Sequence, residues 1–192
     1  MEKIILASAS PRRKQLLEAA EIPFEIIVSD AEEDYPGNAK PEDIVQYIAL
    51  NKAKAVRKKL DTKQDGYTIL SADTIVVLDG AILGKPANRG EAIRILSAIS
   101  GRSHEVITGV VILTPGRTIS FSENTKVYFH ELSHTQIEHY VDNYKPYDKA
   151  GAYAIQEWIG MIGIRSIEGD FYNVMGLPIS RVTRELKEHS IF

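Results

Sequence analysis

Apolar runs alternate with amphipathic stretches along the first half of the chain, and this pattern predicts the order of its strands and helices. KIILAS and PFEIIVS are typical of strands. Between them Ser10 and Pro11 begin a predicted helix that runs to about residue 20, because proline is favoured at the first helical position. Apolar residues at helical spacing predict a second helix over residues 41–60. The apolar run TILSADTIVVL then meets ILGKP across Asp79-Gly80, which predicts a β-hairpin.

The second half of the chain also alternates predicted helices with predicted strands. Asn88 with Glu91, and Ser133 with Gln136, have the spacing of capping boxes, which predicts helices over EAIRILSAIS and up to about residue 143. Two β-like runs lie on either side of the turn PGRT: HEVITGVVILT before it and TISFSENTKVYFHEL after it. MIGIRSIEG and FYNVMG are predicted as strands, and a helix is predicted over residues 178–189. Such a mixture indicates an α/β fold with a mixed sheet flanked by helices.

Composition narrows the class of protein. A chain of 192 residues with 44% hydrophobic and 26% charged content can bury a core as one domain, residues 1–192, which we expect to comprise two packed lobes. The net charge of −3 argues against a nucleic-acid or anionic-membrane surface. The absence of cysteine excludes disulfides and thiol chemistry. With no secretion signal or membrane-length apolar run, we expect a cytoplasmic protein.

Asp73 is the most informative single residue, since it interrupts the apolar strand TILSADTIVVL. An ionised carboxylate in a dry strand is costly unless a metal, a cation or several donors satisfy it. Lys52 lies on the apolar stripe of the predicted helix over 41–60 and is a candidate partner or phosphate ligand. Taken separately, Asp73 also suits a buried strand end, and Lys52 also suits a side chain that reaches from an apolar face to solvent. Their combination with the next segment favours a functional site.

SASPRR, between a strand and a helix, combines backbone N–H groups, hydroxyls and positive charge. A helix N-terminus attracts anions, and arginine adds bidentate bonds to phosphate. The candidate phosphate ligands are Ser8, Ser10, Arg12 and Arg13, with Lys85 in LGKP as a less specific one. The same segment is compatible with an ordinary capped helix and solvated arginines. It does not match the Walker loop.

Acidic partners for a cation come from the loop DAEEDYPG. Glu32 and Glu33 supply carboxylate oxygens, which suit Mg²⁺ or Mn²⁺ bridged to phosphate.

A second motif, His130-Glu131-Leu132-Ser133-His134, matches the HExxH pattern of zinc proteases. That chemistry needs both histidines on one helical face. Because TKVYF is predicted as a strand and Ser133 as a helix cap, the motif straddles a strand–helix junction, which argues against a zinc site.

Five ordered blocks together resemble the Maf family of nucleoside triphosphate pyrophosphatases: LASASPRRKQLL, LNKAKA, SADTIVVLDG with LGKP, DKAGAYAIQ and EGDFYNVMGLP. The resemblance spans nearly the whole chain. It implies a cleft between two lobes and a divalent-metal-dependent cleavage of a nucleoside triphosphate to the monophosphate and pyrophosphate. Asp73 matches the family's catalytic acidic position. The phosphate- and metal-handling positions are matched by Ser8, Arg13, Glu33, Lys52 and Lys85, with Glu32 as the alternative to Glu33.

Arg12, Thr74 and Gln156 resemble the branch of the family that acts on dTTP and UTP rather than on 7-methyl-GTP. A glutamine amide can both donate to and accept from the imide edge of a pyrimidine. Glu157-Trp158 departs from the glycine-containing sequence more usual after this glutamine. A tryptophan here could stack on a base, cover the pocket or lie away from it.

The resemblance implies hydrolysis of dTTP and UTP, or of modified pyrimidine nucleotides, with a role in excluding modified nucleotides and in cell-division arrest. An alternative is a non-catalytic nucleotide sensor in septum formation, which would bind nucleotide without metal-dependent turnover. General frequency and the resemblance also favour a homodimer.

Overall fold

The computed structural model describes residues 3–31, 34–35, 37, 39–60 and 66–191. Within them the helices are α1 Pro11–Ala19, α2 Pro41–Lys59, α3 Arg89–Ile99, α4 His134–Tyr144, α5 Trp158–Gly163, α6 Phe171–Met175 and α7 Ile179–Glu188. The strands are β1 Ile4–Leu6, β2 Phe24–Ile26, β3 Thr68–Leu78, β4 Ala81–Leu83, β5 Ser103–Leu113, β6 Thr118–Phe129 and β7 Ile164–Glu168. A single 3₁₀ turn covers Ala150–Ala152.

The described strands form one mixed sheet. Its order is β2-β1-β3-β5-β6-β7, with β4 paired to β3. The strand β1 runs parallel to β2 and β3, whereas β4 is antiparallel to β3 and β7 is antiparallel to β6. The predicted α/β fold with a mixed sheet and flanking helices is therefore confirmed.

The chain divides into two compact units. Unit 1 comprises Met1–Asp73, Thr108–Glu123 and Gly176–Phe192, and unit 2 comprises Thr74–Ile107 and Asn124–Met175. Consequently β3, β5 and β6 each contribute residues to both units.

In unit 1 the apolar face of α2 is buried on the sheet. The core there joins residues of α2 to residues of β1, β3 and β5 and to Ala7, which directly follows β1: Ile5, Ala7, Ala49, Ala53, Val56, Ile69 and Val111. Gly109 on β5 lets the helix approach closely, since a Cβ at this position would lie 2.4 Å from the carbonyl carbon of Val45. A glycine is required where two backbones come this near.

In unit 2 the helices α3 and α4 share an apolar core with the sheet. Fully buried members include Leu96, Ile99, Tyr140 and Ile159. Both predicted helix caps are present, but only the one at Ser133 is a complete capping box, because the Glu91 carboxylate accepts from the Ala87 N–H instead of the Asn88 N–H. The Asn88 side chain accepts from the Glu91 N–H at 3.0 Å, and Ser133 forms a reciprocal capping box with Gln136.

Several predicted boundaries are confirmed in detail. The strand over Thr68–Leu78 and its hairpin into β4 lie where the pattern placed them. The helix α1 begins at Pro11, after Ser10 as its N-cap.

One predicted strand is wrong. FYNVM forms the short helix α6, and MIG ends the helix α5 instead of beginning β7. The Oδ1 of Asp170 accepts from the Tyr172 N–H at 2.8 Å and starts the helical turn. The buried Asn173 amide then donates to the Val106 carbonyl and to Thr125 Oγ1. These bonds outweigh the β preference of an aromatic and β-branched segment.

Candidate functional site

The buried Asp73 carboxylate and the half-buried Lys52 ammonium form an ion pair in unit 1. Lys52 Nζ lies 2.6 Å from Asp73 Oδ1, and the side chains are 13% and 11% exposed. A carboxylate at this depth needs a partner, because removing an ion from water costs several kcal/mol. The cation that the sequence requires for Asp73 is therefore Lys52.

Local packing explains why these two side chains meet. Ser71 precedes Asp73 by two positions on β3, so both side chains leave the same face of the strand. Ala49 precedes Lys52 by three positions on α2, so both lie on one face of the helix. The Ser71 hydroxyl donates to the Ala49 carbonyl at 2.7 Å. The Ser71–Ala49 bond and the Asp73–Lys52 pair are thus successive links between the same strand and helix.

The loop between β1 and α1 is also held in a defined shape. Ser8 Oγ accepts from the Ser10 N–H at 3.2 Å and from Arg13 Nη1 at 3.1 Å. Arg13 Nε donates to the Gly176 carbonyl at 2.7 Å. Ser8 and Arg13 are buried, whereas Arg12 is half-buried. One buried guanidinium therefore orders the loop and remains a fixed positive charge at the start of α1.

The strand register relates this loop to Asp73. In the parallel pair of β1 and β3, Leu6 lies opposite Leu70, and the Ala7 N–H donates to the Leu70 carbonyl at 2.8 Å. Ser8 and Asp73 both lie beyond that point, past the carboxyl end of β1. In parallel sheets this end is where ligands usually bind.

Three further predicted site residues belong to unit 2: Thr74, Lys85 and Gln156. Thr74 follows Asp73 on β3 and is half-buried, and Lys85 is exposed just after β4. The Gly151 N–H donates to the Gly84 carbonyl at 3.2 Å. This bond ties the residue before Lys85 to the segment that leads toward Gln156.

Gln156 lies in a tight turn. The Glu157 N–H donates to the Ala154 carbonyl at 3.1 Å and closes that turn. Gln156 Oε1 is buried, and no donor in the described part of the chain satisfies it. A buried acceptor without a donor is costly in a folded protein and marks a place where a ligand donor would bind well.

The structure separates the roles of Glu157 and Trp158. Trp158 packs against the core of unit 2, with its ring 4.8 Å from that of His139. Glu157 accepts a short hydrogen bond from the Tyr140 hydroxyl and lies 3.5 Å from Lys149 Nζ. Of the three possibilities for the tryptophan, packing against its own unit is the one that these contacts support.

Sequence reasoning assigned no role to Tyr140 or Lys149. Tyr140 falls on the apolar stripe of α4 with Ile137 and Val141, and this spacing could have identified it as buried. Lys149 follows Tyr147 and Asp148 in a stretch that looks solvent-exposed, yet it is only 8% exposed. Its burial depends on Glu157, which no local pattern reveals.

The structure tests the predicted metal ligands only in part. Glu33 and its alternative Glu32 lie outside the described residues. Among the residues that are described, no three histidine or acidic side chains cluster in a way that could hold a metal by themselves. Asp73 offers carboxylate oxygen, the donor type that Mg²⁺ and Mn²⁺ prefer.

The HExxH motif is divided as expected. The strand β6 ends at Phe129 and α4 begins at His134, so His130 lies outside the helix. His134 Nε2 faces Glu138 at 3.6 Å. The predicted strand–helix junction within the motif is confirmed.

None of the described helices combines the length and the apolar character needed to cross a membrane.

Comparison with known proteins identifies the family. The family of Maf-like proteins matches residues 3–189. A protein named dTTP/UTP pyrophosphatase from Porphyromonas gingivalis is 50% identical over 97% of this chain and 94% of its own length. One of the same name from Bacillus thuringiensis subsp. konkukian is 51% identical over 100% of this chain and 97% of its own. The solved Ham1 protein of Staphylococcus aureus aligns with a TM-score of 0.45 at 13% identity, covering 67% of this chain and 72% of that one. With a family match over nearly its full length and relatives at half identity, the chain belongs to the Maf family.

Proposed function

We propose that this protein is a nucleoside triphosphate pyrophosphatase that converts dTTP and UTP to the monophosphate and pyrophosphate. Two relatives at about half identity, each aligned over nearly the whole chain, are named dTTP/UTP pyrophosphatase. The resemblance seen in Arg12, Thr74 and Gln156 agrees with that substrate pair.

The observation that carries the proposal is the buried pair of Lys52 and Asp73 in the same unit as the Arg13 loop. A carboxylate held by a fixed ammonium keeps its orientation, as a group that accepts a proton from water must. Phosphoryl transfer relies chiefly on positioned positive charge, because charge spreads over the phosphoryl oxygens in the transition state. Carboxylate and fixed cations together suit this reaction.

In the proposed mechanism water attacks the α-phosphorus. Lys52 holds Oδ1 of Asp73, and Oδ2 accepts the proton of the water as its oxygen bonds to phosphorus. The bond between the α-phosphorus and the bridging oxygen breaks, and pyrophosphate leaves with the electron pair. Arg13 and Lys85 supply positive charge to the phosphates, and Ser8 donates to a phosphoryl oxygen.

A divalent cation, Mg²⁺ or Mn²⁺, fits this set of donors. Such ions commonly use one or two protein carboxylates and complete their shell with water and substrate phosphate, so a preformed cluster is unnecessary. We propose Asp73 and Glu33 as the protein ligands. When bound, the cation neutralises phosphate charge and polarises the phosphoryl oxygens.

Base selection is assigned to Arg12, Thr74 and Gln156. Uracil and thymine present an N3–H donor between two carbonyl acceptors. The Gln156 amide has both an acceptor and donors, so it can match this edge. The buried Oε1 of Gln156, which lacks a donor among the described residues, is the feature that supports this assignment.

The experiment is pyrophosphate release from a panel of nucleoside triphosphates, with Mg²⁺ or Mn²⁺ and with chelator. The proposal predicts metal-dependent release that is fastest with dTTP and UTP. Preference for another base would contradict the assignment of dTTP and UTP as substrates, but the assignment as a nucleoside triphosphate pyrophosphatase would stand. No release from any nucleotide by folded protein would contradict the enzyme and favour the nucleotide sensor.

A further inference from the structure

The turn that carries Gln156 is attached at both ends to one tyrosine. The Tyr140 hydroxyl accepts from the Ala154 N–H at 3.3 Å and donates to the Glu157 carboxylate. A hydroxyl can accept and donate at once, so a single group anchors the residues on both sides of Ile155 and Gln156.

Tyr140 is itself firmly held. Its side chain is fully buried in the core of unit 2, and its ring stacks on Tyr144 at a centroid distance of 4.9 Å. The helix α4 that carries it begins with a complete capping box at Ser133. A rigid core residue therefore serves as the fixed point for the turn.

Glu157 is fixed through its second carboxylate oxygen as well. Lys149 Nζ lies 3.5 Å from Glu157 Oε1 and 2.7 Å from Asp148 Oδ1. The lysine side chain is 9% exposed and that of Glu157 is 23% exposed. Because a partly buried carboxylate is costly without compensation, the ammonium stabilises the charge that the Tyr140 hydroxyl bonds to.

The helix α5 restricts the turn further. A Cβ at Gly160 would lie 1.9 Å from the Ile155 carbonyl oxygen, and the Gly160 N–H donates to the Glu157 carbonyl at 2.9 Å. Ile155 and Glu157 are thus both in contact with Gly160. Little freedom remains for the backbone of Gln156 between them.

From these contacts we infer that Tyr140 and Glu157 are positioning residues that hold the Gln156 amide in the orientation that selects the base. The inference rests on the proposed function, in which Gln156 reads the pyrimidine edge. Cytosine presents an N3 acceptor and an amino donor where uracil presents an N3–H and a carbonyl. An amide discriminates between these edges only if its own donor and acceptor are fixed in place. A looser turn should therefore lower the preference for UTP over CTP more than it lowers the rate of hydrolysis.

The test is the ratio of kcat/KM for UTP to kcat/KM for CTP in Tyr140→Phe and Glu157→Gln. Tyr140→Phe removes both bonds of the hydroxyl, and Glu157→Gln weakens the bonds of the carboxylate, while each change keeps the shape of the side chain. We expect the ratio to fall by roughly three- to tenfold, in the range expected for the loss of a hydrogen bond. The fall should come mainly from a higher KM for UTP, with kcat for UTP within about twofold of wild type.

Tyr144→Phe is the matched control, because Tyr144 lies one turn further along α4 and stacks on the same ring. It should keep the wild-type ratio. Thermal unfolding of all three variants separates loosening of the turn from loss of fold, and Glu157→Gln keeps the test valid if Tyr140→Phe is unstable.

An unchanged ratio in folded Tyr140→Phe and Glu157→Gln, when Gln156→Ala does alter it, would overturn the positioning role and leave the proposed function standing. An unaltered ratio in Gln156→Ala, or a wild-type protein without turnover, would overturn the proposed function and the positioning role together.

Discussion

Lys52 Nζ and Asp73 Oδ1 lie 2.6 Å apart at a depth where each side chain is little more than a tenth exposed. The pair joins the middle of α2 to the middle of β3, beside the Ser71–Ala49 hydrogen bond. Buried ion pairs seldom improve stability over well-packed apolar residues. In the proposed function, the fixed carboxylate and the fixed ammonium at this position act on a phosphate substrate.

Asp73→Asn should nearly abolish turnover while preserving the fold. The amide keeps the size of the side chain and can still accept from Lys52, but it cannot take a proton from water. Loss of a general base lowers the rate by roughly 100-fold to 10,000-fold. Pyrophosphate release from dTTP measures the effect.

Asp79→Asn is the control for that variant. Asp79 lies in the turn just after β3 and pairs with Arg102, but its side chain is 69% exposed. The Asp79→Asn variant should keep an activity close to that of wild type. Full activity in Asp73→Asn would remove Asp73 from the mechanism.

Lys52→Met should lower both stability and activity, and a second substitution should separate the two effects. Methionine leaves the Asp73 carboxylate buried and unpaired, which costs about 3 kcal/mol. Adding Asp73→Asn removes that charge, so the double variant should regain most of the free energy of unfolding and remain inactive.

Denaturant unfolding measures the stability of Lys52→Met and of the double variant, and dTTP turnover measures their activity. Lys54→Met, an exposed lysine on the same helix, is the control and should change neither. If the double variant were no more stable than Lys52→Met, the unpaired carboxylate would not be the cause of the instability.

Gly109→Ala should disturb the site by displacing α2. The new methyl would meet the backbone of Val45 and Gln46 at 2.4–2.6 Å, so the helix must move away from β5. Overpacking of this kind costs about 1–3 kcal/mol. Because Lys52 is on that helix, activity should fall as well. Gly116→Ala, where no atom lies within 4 Å of the added Cβ, should leave melting temperature and turnover nearly unchanged.

Stability should fall in mild acid through His104. This side chain is 2% exposed, its Nε2 lies 2.8 Å from the Tyr153 hydroxyl, and burial lowers its pKa from 6.5 to about 4. Burial also raises the pKa of Tyr153, so the neutral forms of both groups are favoured in the fold. Between pH 6.5 and about 4 the unfolded chain binds a proton that the folded chain does not, so stability decreases as pH falls.

Above the pKa that His104 has in the unfolded chain, its contribution to the free energy of unfolding is complete. When the pH has fallen to the pKa that it has in the fold, the free energy of unfolding should have decreased by about 3 kcal/mol. Unfolding free energies measured across this window should be less steeply pH-dependent in His104→Gln. His134→Gln, at an exposed histidine, should retain the wild-type slope. Equal slopes in all three proteins would rule out His104 as the titrating group.

Local patterns in the sequence predicted much of the fold, because many element boundaries are set by residues that are close together in the chain. The bounds of β3, the turn at Asp79-Gly80 and the caps of α3 and α4 depend on residues within a few positions of each other. The helix α6 was predicted as a strand because its cause is distant: Asn173 bonds to Val106 and Thr125, far away in the chain.

The same distinction applies to the candidate site. Asp73 stood out because a carboxylate in an apolar strand is unusual, and its need for a cation could be stated before any partner was known. The bond from Arg13 to Gly176 and the network of Tyr140, Glu157 and Lys149 join residues that no periodicity connects. Only the folded chain brings them together.

Hydrolysis of UTP in ¹⁸O-labelled water, with the products resolved by mass spectrometry, tests the central claim most directly. Attack on the α-phosphorus predicts that the label enters UMP and that the released pyrophosphate carries none. Label in pyrophosphate, or formation of UDP and orthophosphate, would contradict the proposed reaction.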